Sequence, residues 1–550
     1  MIGLKQHTVK EAKSLKQAQQ RHQWSIPPHY NVAVDCLDRH VDLRDQVALY
    51  YEDESGHHER YTFGEVATLS RRFANALRGL GIDSGDVVGV HLPQRPETAI
   101  AHIAFYRLGV IGLPISKLFG HDAIRYRLND SSARAILVEA DNVEKVESIR
   151  KDTPNLAHII VAGARVPGTL TFEDLVSKAS ADFSMGRMSG EDPILLMYTS
   201  GTTGDPKGVL HVARCILGHN GIDYSYNFLR QGDLYYSPAD WAWGGGLLDG
   251  LLGIWPYGVP VLAYRADNRF DPEVTFRLLE KYGASVGLYP PTALKRMREV
   301  RNPREKYRGL KLRCIASGAE PVSPELARWV REVLRAEFNQ VFGQTEANYF
   351  IGTCSALEKP DLEPMGKPYP GHEVAIVSEE GVPRKPGETG QIATKATSPV
   401  VMKGYWKNPE AMREKFVKGW CLTGDLGHMD DRGYVYFHGR ADDVIKSSGY
   451  RIGPAEVEAK IMEHRAVASC AVIGVPDPQR GQAVKAFVKL LPGFRPSQEL
   501  IEEIQKYVKK SLAVHEYPRE IEFIDEFPVT VTGKIRRREL REIEEKSRRS

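Results

Sequence analysis

Short apolar runs at 87–92, 135–138, 159–161, 194–198 and 285–289 alternate with longer stretches of helical period such as 63–80 and 274–282. A run too short for a helix and apolar on both faces is a strand buried on both sides. Strands alternating with helices build a largely parallel sheet that the helices cover. The fold class expected is therefore α/β. At 550 residues the chain exceeds one ordinary core, and about 150 residues per domain gives roughly three or four compact units.

The pattern changes twice further on. Between 366 and 439 short strands are punctuated by Gly, Pro and Asp, at 373–377, 390–394 and 433–438, which reads as a small β-rich subdomain. After 439 come a helix (454–463), two strands (467–474 and 483–489), a helix (497–512) and a strand (520–524). These form a compact α+β module whose polar opening, 439–443, has the composition of a hinge. The expected division is 1–439, a large domain of βα subdomains carrying the β-rich piece, and 440–550.

Composition narrows the function classes. A formal charge of +3 from 74 basic and 71 acidic residues makes no field that would recruit nucleic acid or a membrane surface. The one basic cluster, 534–538, is open to two readings, a phosphate patch or a solvated helix face. The apolar window 244–264 is broken by Asp249, Pro256, Pro260 and several glycines, so a helix ending at 255–258 and a strand at 259–263 are expected, not a membrane span. Six singly scattered cysteines match neither a zinc site nor a redox dithiol, and reduced thiols of a cytoplasmic protein are the simplest account. Residues 1–20 lack the apolar stretch of a secretory signal. An organellar presequence stays open, although lysines and Glu11 are not its usual composition.

The loop 199–208 follows directly on the apolar run 194–198. Gly201, Gly204 and Gly208 let backbone N–H groups approach a polyphosphate, Thr199, Ser200, Thr202 and Thr203 add hydroxyl donors, and Lys207 supplies a point charge. A phosphate cradle is the natural function, with a Ser/Thr/Gly surface loop as the bland alternative. It is no Walker A loop, because Gly208 stands where Ser or Thr should follow the lysine, and 209–212 is a further apolar run where a helix should begin.

This loop resembles the signature loop of the adenylate-forming superfamily, which includes acyl-CoA synthetases, luciferases and peptide-synthetase adenylation domains. The likeness covers nearly the whole chain. Phe342, Gly343, Gln344, Thr345 and Glu346 resemble the second nucleotide motif, 422–425 the ribose motif, 439–443 the hinge, 448–451 the thiol-side loop and 532–534 the turn with the C-terminal lysine. Each motif alone is weak; in this order and at these separations they are specific.

The resemblance implies ATP, Mg²⁺ and coenzyme A as cosubstrates and a mobile C-terminal domain. Glu346 would hold the magnesium ion, since a hard dication takes oxygen ligands. Thr202 and Thr345 would donate to phosphate oxygens. Asp425 would bind the ribose hydroxyls, aided by Arg440. Gly318, Ala319 and Glu320 would pass along the adenine, with Phe342 stacking on it. Lys534 would reach the carboxylate and α-phosphate during adenylation. The C-terminal domain would then turn about Asp442, bringing Ser448, Gly449 and Tyr450 to line the pantetheine path. Arg451 would contact a phosphate of ATP or coenzyme A, Lys509 and Lys510 the nucleotide of coenzyme A, and Arg536–Arg538 would begin a solvated terminal helix.

Trp243, Gly244 and Gly245 resemble the segment lining the acyl site. Acetate-specific members carry bulky side chains at the positions of Gly244, Gly245, Gly318 and Gly343; glycine at all four implies a larger pocket and medium-length, branched or cyclic acids, unless Trp241 or Trp243 refills it. The reading is an AMP-forming acyl-CoA synthetase of the medium-chain type, monomer or homodimer. An aryl-CoA (benzoate-type) ligase, an acetyl or short-chain synthetase, a carrier-protein adenylation enzyme and a silent nucleotide-binding scaffold are its alternatives.

Overall fold

The apolar runs fold as the strands Val87–His91, Ala135–Glu139, His158–Ala162, Pro193–Thr199 and Val286–Leu288, buried nearly throughout. The computed structural model describes residues 8–199, 206–266, 270–359, 361–447, 450–512, 516–529 and 535–549. Helical periods become Phe63–Gly79 and Pro272–Tyr282. The first starts on a capping box: Thr62 Oγ1 accepts from the Glu65 amide at 3.2 Å, and the Glu65 carboxylate accepts from the Thr62 amide at 2.8 Å. Such a cap contributes about 1 kcal/mol. The second is started by Asp271 and Pro272 and stopped by Gly283 at φ +70°, a left-handed conformation that suits glycine.

By backbone proximity the chain divides into two units, Met1–Glu373 with Thr394–Cys421, and Val374–Ala393 with Leu422–Ser550. In the first unit two large sheets carry most of the described strands. One runs Lys367–Pro368, Ala347–Gly352, Glu337–Gln344, Cys314–Gly318, Val286–Leu288, Tyr235–Tyr236, Val261–Arg265, Val47–Asp53, His58–Thr62. Its middle is parallel and its edges antiparallel. The other runs Gly404–Tyr405, Lys207–Val212, Pro193–Thr199, Ile111–Pro114, Val87–His91, Ala135–Glu139, His158–Ala162, Leu170–Thr171. Sheets of this kind bind ligands beyond the carboxyl ends of their parallel strands.

The segment after 244 departs from one continuous helix. It runs as a short α-turn Gly244–Gly246, a π-turn Leu247–Leu251, an α-turn Leu252–Ile254 and a 3₁₀ turn Trp255–Tyr257, and the strand begins at Val261. Clustered glycines lower helix propensity, and the π-turn gives one residue extra room. No described helix is long and apolar enough to cross a membrane.

The second unit contains the strands Val374–Val377 and Val435–Arg440 and the C-terminal module. There Val467–Asp477 and Gly481–Leu490 form a long antiparallel pair, and the free side of Gly481–Leu490 takes Glu520–Phe523 in parallel and, at its start, Ile445–Ser447, which pairs on with Tyr450–Ile452. The helices Pro454–Met462 and Gln498–Ser511 bury Val457, Ile461, Ile504 and Val508. Arg537 corrects one expectation. It opens the helix Arg537–Arg549, but its guanidinium makes a two-pronged contact with Glu458 at 2.7 Å, while Arg536 and Arg538 pair along their own helix on the surface.

Candidate active site

The loop 199–208 caps a β-hairpin. Pro193–Thr199 pairs antiparallel with Lys207–Val212, Thr199 facing Lys207 and Tyr198 facing Gly208, so a strand stands where a Walker loop needs a helix. Thr199 Oγ1 reaches the Lys207 carbonyl at 3.4 Å. A Cβ on Gly208 would lie 3.0 to 3.2 Å from Leu196, Trp406 and Tyr198, so a side chain here would crowd all three. Ser200, Gly201, Thr202, Thr203 and Gly204 lie outside the described residues.

The motif 342–346 forms the end of Glu337–Gln344 and the turn into Ala347–Gly352. The register slips between Phe342 and Gln344, and residues 342–346 are all half-buried. Three contacts from the neighbouring sheet and the helix Pro409–Lys415 fix the turn. His211 Nε2 donates to the Thr345 carbonyl at 2.7 Å, the Tyr405 hydroxyl donates to Glu346 Oε1 at 2.7 Å, and Lys415 Nζ donates to Gln344 Oε1 at 2.5 Å and stands 3.9 Å from Glu346. Lys207 Nζ lies 5.6 Å from the centre of the Tyr405 ring, a cation–π distance that brings the loop's lysine beside Glu346's partner. Burial holds the His211 imidazole down at about 4, so it is neutral and acts as a donor.

Gly318 ends its strand opposite Val341, and Ala319 follows with φ +68°, a conformation seldom tolerated outside glycine and found where a site constrains the backbone. Ala319 is exposed, Glu320 half-buried, and the Phe342 ring packs edge-on to Phe350 at 5.5 Å.

The four pocket glycines divide into two pairs. A Cβ on Gly318 would sit 2.1 Å from the Val341 carbonyl oxygen, and one on Gly343 2.4 Å from the Tyr349 amide nitrogen. Backbone forces glycine at both, so their missing side chains add no pocket volume. On Gly244 a Cβ would meet nothing nearer than Asn348 Nδ2 at 4.0 Å, and on Gly245 nothing nearer than Leu288 at 3.5 Å. A Cβ would fit at these two without a clash. Trp241 is buried, and the half-buried Trp243 packs edge-on to Phe119 with ring centres 6.0 Å apart.

In the second unit Asp425 and Arg440 face each other across Trp420–Met429 and Val435–Arg440, with Arg440 Nη1 donating to Asp425 Oδ1 at 3.2 Å. Gly424 at φ +76° turns the chain there, and Thr423 Oγ1 donates to the Ile392 carbonyl at 2.7 Å. The backbone of Asp442 lies in the 3₁₀ turn Ala441–Asp443, and Arg451 faces Lys446 across Ile445–Ser447 and Tyr450–Ile452. Ser448, Gly449 and Lys534 lie outside the described residues.

The comparisons with known proteins bear on this arrangement directly. Residues 38–406 match the family model described as AMP-binding enzyme, and 456–534 match the AMP-binding enzyme C-terminal domain. The chain belongs to the AMP-binding enzymes. Acetyl-coenzyme A synthetase of Bacillus subtilis (strain 168) is 36% identical over 93% of this chain and 90% of its own length. The mitochondrial acyl-coenzyme A synthetase ACSM4 of Homo sapiens is 34% identical over 95% and 92%. Among solved structures, the anthranilate CoA ligase AuaEII in complex with anthranoyl-AMP superposes with a TM-score of 0.88 at 28% identity, covering 96% of this chain and 99% of that one. The protein is thus an ATP-dependent, AMP-forming acyl-CoA synthetase, with ATP, coenzyme A and a carboxylic acid as its substrates.

Several residues of this synthetase's site have no signature in the sequence. Tyr405 and Lys415 reach Glu346 and Gln344 from 59 and 71 residues away, and His211 reaches Thr345 from 134. Asp249 is different. It is the lone acid of the apolar window 244–264, and that anomaly is a readable signal.

Proposed function

We propose that this synthetase activates medium-length, branched or cyclic acids in preference to acetate. The observation that carries the reading is that Gly244 and Gly245 leave room a side chain could fill without a clash, and each methylene that such room accommodates contributes about 0.8 kcal/mol. An aryl acid of benzoate type is the second reading, favoured by the likeness to the anthranilate ligase.

Lys207 and the loop 199–208 hold the triphosphate. Glu346 fits a magnesium ion: its half-buried carboxylate is oriented by the Tyr405 hydroxyl through one oxygen. Magnesium usually binds through one or two carboxylates plus the substrate's phosphates. When bound, magnesium neutralises charge on the phosphates. Gly318–Glu320 and Phe342 seat the adenine, and Asp425 and Arg440 take the ribose. Lys534 attends adenylation, Asp442 is the hinge between a domain 1–439 and a domain 440–550, and Ser448, Gly449 and Tyr450 line the thiol path, with Arg451 on a phosphate. Six buried free cysteines fit a reducing, cytoplasmic setting.

The test is pyrophosphate release with ATP, Mg²⁺ and straight, branched and aromatic acids. Preference for acids of about five carbons or more supports the reading, and preference for acetate overturns it.

A further inference from the structure

Asp249 is 4% exposed, within a run where Leu247, Leu248, Leu251, Leu252, Ile254 and Trp255 are fully buried. A carboxyl group in such surroundings is costly unless something pairs with it. What pairs with it is one neutral group. Asn348 Nδ2 donates to Asp249 Oδ1 at 2.6 Å, and among the described residues no lysine, arginine or histidine lies near enough to hold the charge. Burial therefore raises its proton affinity well above the usual carboxylate range.

The second oxygen has no hydrogen-bond partner among the described residues. Its surroundings say where it points: a Cβ built on Gly245 would come within 3.9 Å of Asp249 Oδ2, and one on Gly244 within 4.0 Å of Asn348 Nδ2. The room of the two missing side chains is thus bordered by a carboxyl oxygen and an amide, with Leu288 on its apolar side. The π-turn Leu247–Leu251 presents this carboxyl, and such turns recur at functional sites because they cost regular hydrogen bonding.

We infer that Asp249, steadied by Asn348, is a specificity-determining residue whose Oδ2 hydrogen-bonds a hydroxyl or amino group on the acyl part of the acid. This inference rests on the proposed acyl site at Gly244 and Gly245 and narrows its substrate class to acids bearing a hydrogen-bond donor away from the carboxylate. A purely alkyl chain in that space would face Oδ2 and leave it unpaired, whereas a hydroxyl or ammonium group would satisfy it. Protonated, the carboxyl carries its proton on Oδ2, because Oδ1 accepts from Asn348, and a substrate hydroxyl pairs with it by accepting that proton; beside an ammonium group it ionises and accepts.

The competing account is that Asp249 only orients Asn348, two residues beyond Glu346. The two accounts differ in what a variant does to different acids. Matched pairs on one carbon skeleton, such as hexanoate with 6-hydroxyhexanoate and benzoate with its hydroxy and amino derivatives, are compared by kcat/KM for pyrophosphate release. The wild type is expected to favour one donor-bearing member by roughly 10²-fold, since a site built to bond a hydroxyl or amine rejects the analogue lacking it. Asp249→Leu is expected to reverse that preference, and Asp249→Asn to weaken it most for the amine. Preference for the unsubstituted member of every pair in the wild type overturns the inference without any variant. So does an equal loss on all acids in both variants, the signature of a purely orienting role. Failure of the broader reading looks different: acetate would then outrun every longer acid, substituted or not.

Discussion

His211 Nε2 lies 2.7 Å from the carbonyl oxygen of Thr345, so a strand of one sheet donates directly to the turn that carries Glu346 on the other. The bond needs a proton on Nε2; burial keeps the ring neutral, so the bond fixes the Nε2–H tautomer. His211 is one of several such histidines: burial holds His40, His91 and His211 at about 4, and His102, His219 and His372 at about 3.

Those histidines predict acid lability. An unfolded imidazole takes a proton near pH 6.5, whereas the folded ones resist until about 4 or 3, so the unfolded state binds more protons in between. Stability is then fully present above about pH 6.5 and falls as the pH drops toward 4, by up to about 1.4 kcal/mol per pH unit for each histidine. Thermal unfolding followed from pH 7.5 to 4.5 should show Tm dropping steeply. His211→Gln, which keeps an amide donor for Thr345, should shallow the slope by about one proton; an unchanged slope would assign the lability elsewhere.

The two glycine pairs predict opposite phenotypes. Gly343→Ala drives a Cβ against the Tyr349 amide nitrogen and should lower stability by about 1–3 kcal/mol, the usual range for overpacking, whatever acid is offered. A Cβ on Gly244 meets nothing nearer than 4.0 Å, so Gly244→Val introduces no backbone clash. It should fold with an unchanged Tm and shift kcat/KM toward short acids by roughly 10-fold or more, as about 0.8 kcal/mol is forfeited per excluded methylene. Denaturation midpoints alongside the acid panel separate the two; loss of stability in both variants would mean the space is already filled.

Much of this was legible because the buried strands are short apolar runs bounded by turn residues, and those runs fall on Val87–His91, Ala135–Glu139 and Pro193–Thr199. The phosphate-loop hairpin was legible for a related reason: Gly208 and the apolar residues after it permit a strand and forbid a Walker helix. Tyr405 and Lys415 were not, since nothing in their local pattern marks a residue whose partner is brought near only by the tertiary fold. Gly318 and Gly343 misled in the other direction. A glycine reads the same whether a ligand or a neighbouring backbone occupies the space, and only the register opposite Val341 and the slip after Phe342 tell them apart.

The Arg537–Glu458 pair predicts where the second unit is weak. Both side chains are largely buried, at 26% and 14% exposure, and joined at 2.7 Å. Removing one partner strands the other charge, which costs on the order of 3–5 kcal/mol, far more than losing a surface pair. Arg537→Ala should therefore unfold the second unit at lower denaturant, seen by hydrogen exchange in Val467–Asp477, while Arg538→Ala changes the midpoint by well under 1 kcal/mol. Equal effects would mean Arg537 is as solvated as its neighbour.

Lys534 tests the proposed division of labour between half-reactions. Adenylation gathers negative charge on the α-phosphate and the departing pyrophosphate, so a positioned cation acts there, whereas attack of a thiol on a finished acyl-adenylate has no pyrophosphate to expel and places its new charge on the carbonyl oxygen and the departing AMP. Lys534→Ala should therefore cut pyrophosphate release by about 10²–10³-fold yet convert supplied acyl-adenylate and coenzyme A to thioester at a near wild-type rate. Glu346→Gln should likewise slow the first step and raise the magnesium concentration needed for half-maximal rate. If Lys534→Ala slows both half-reactions alike, the lysine has been given the wrong role, and the hinge proposed at Asp442 loses its main reason.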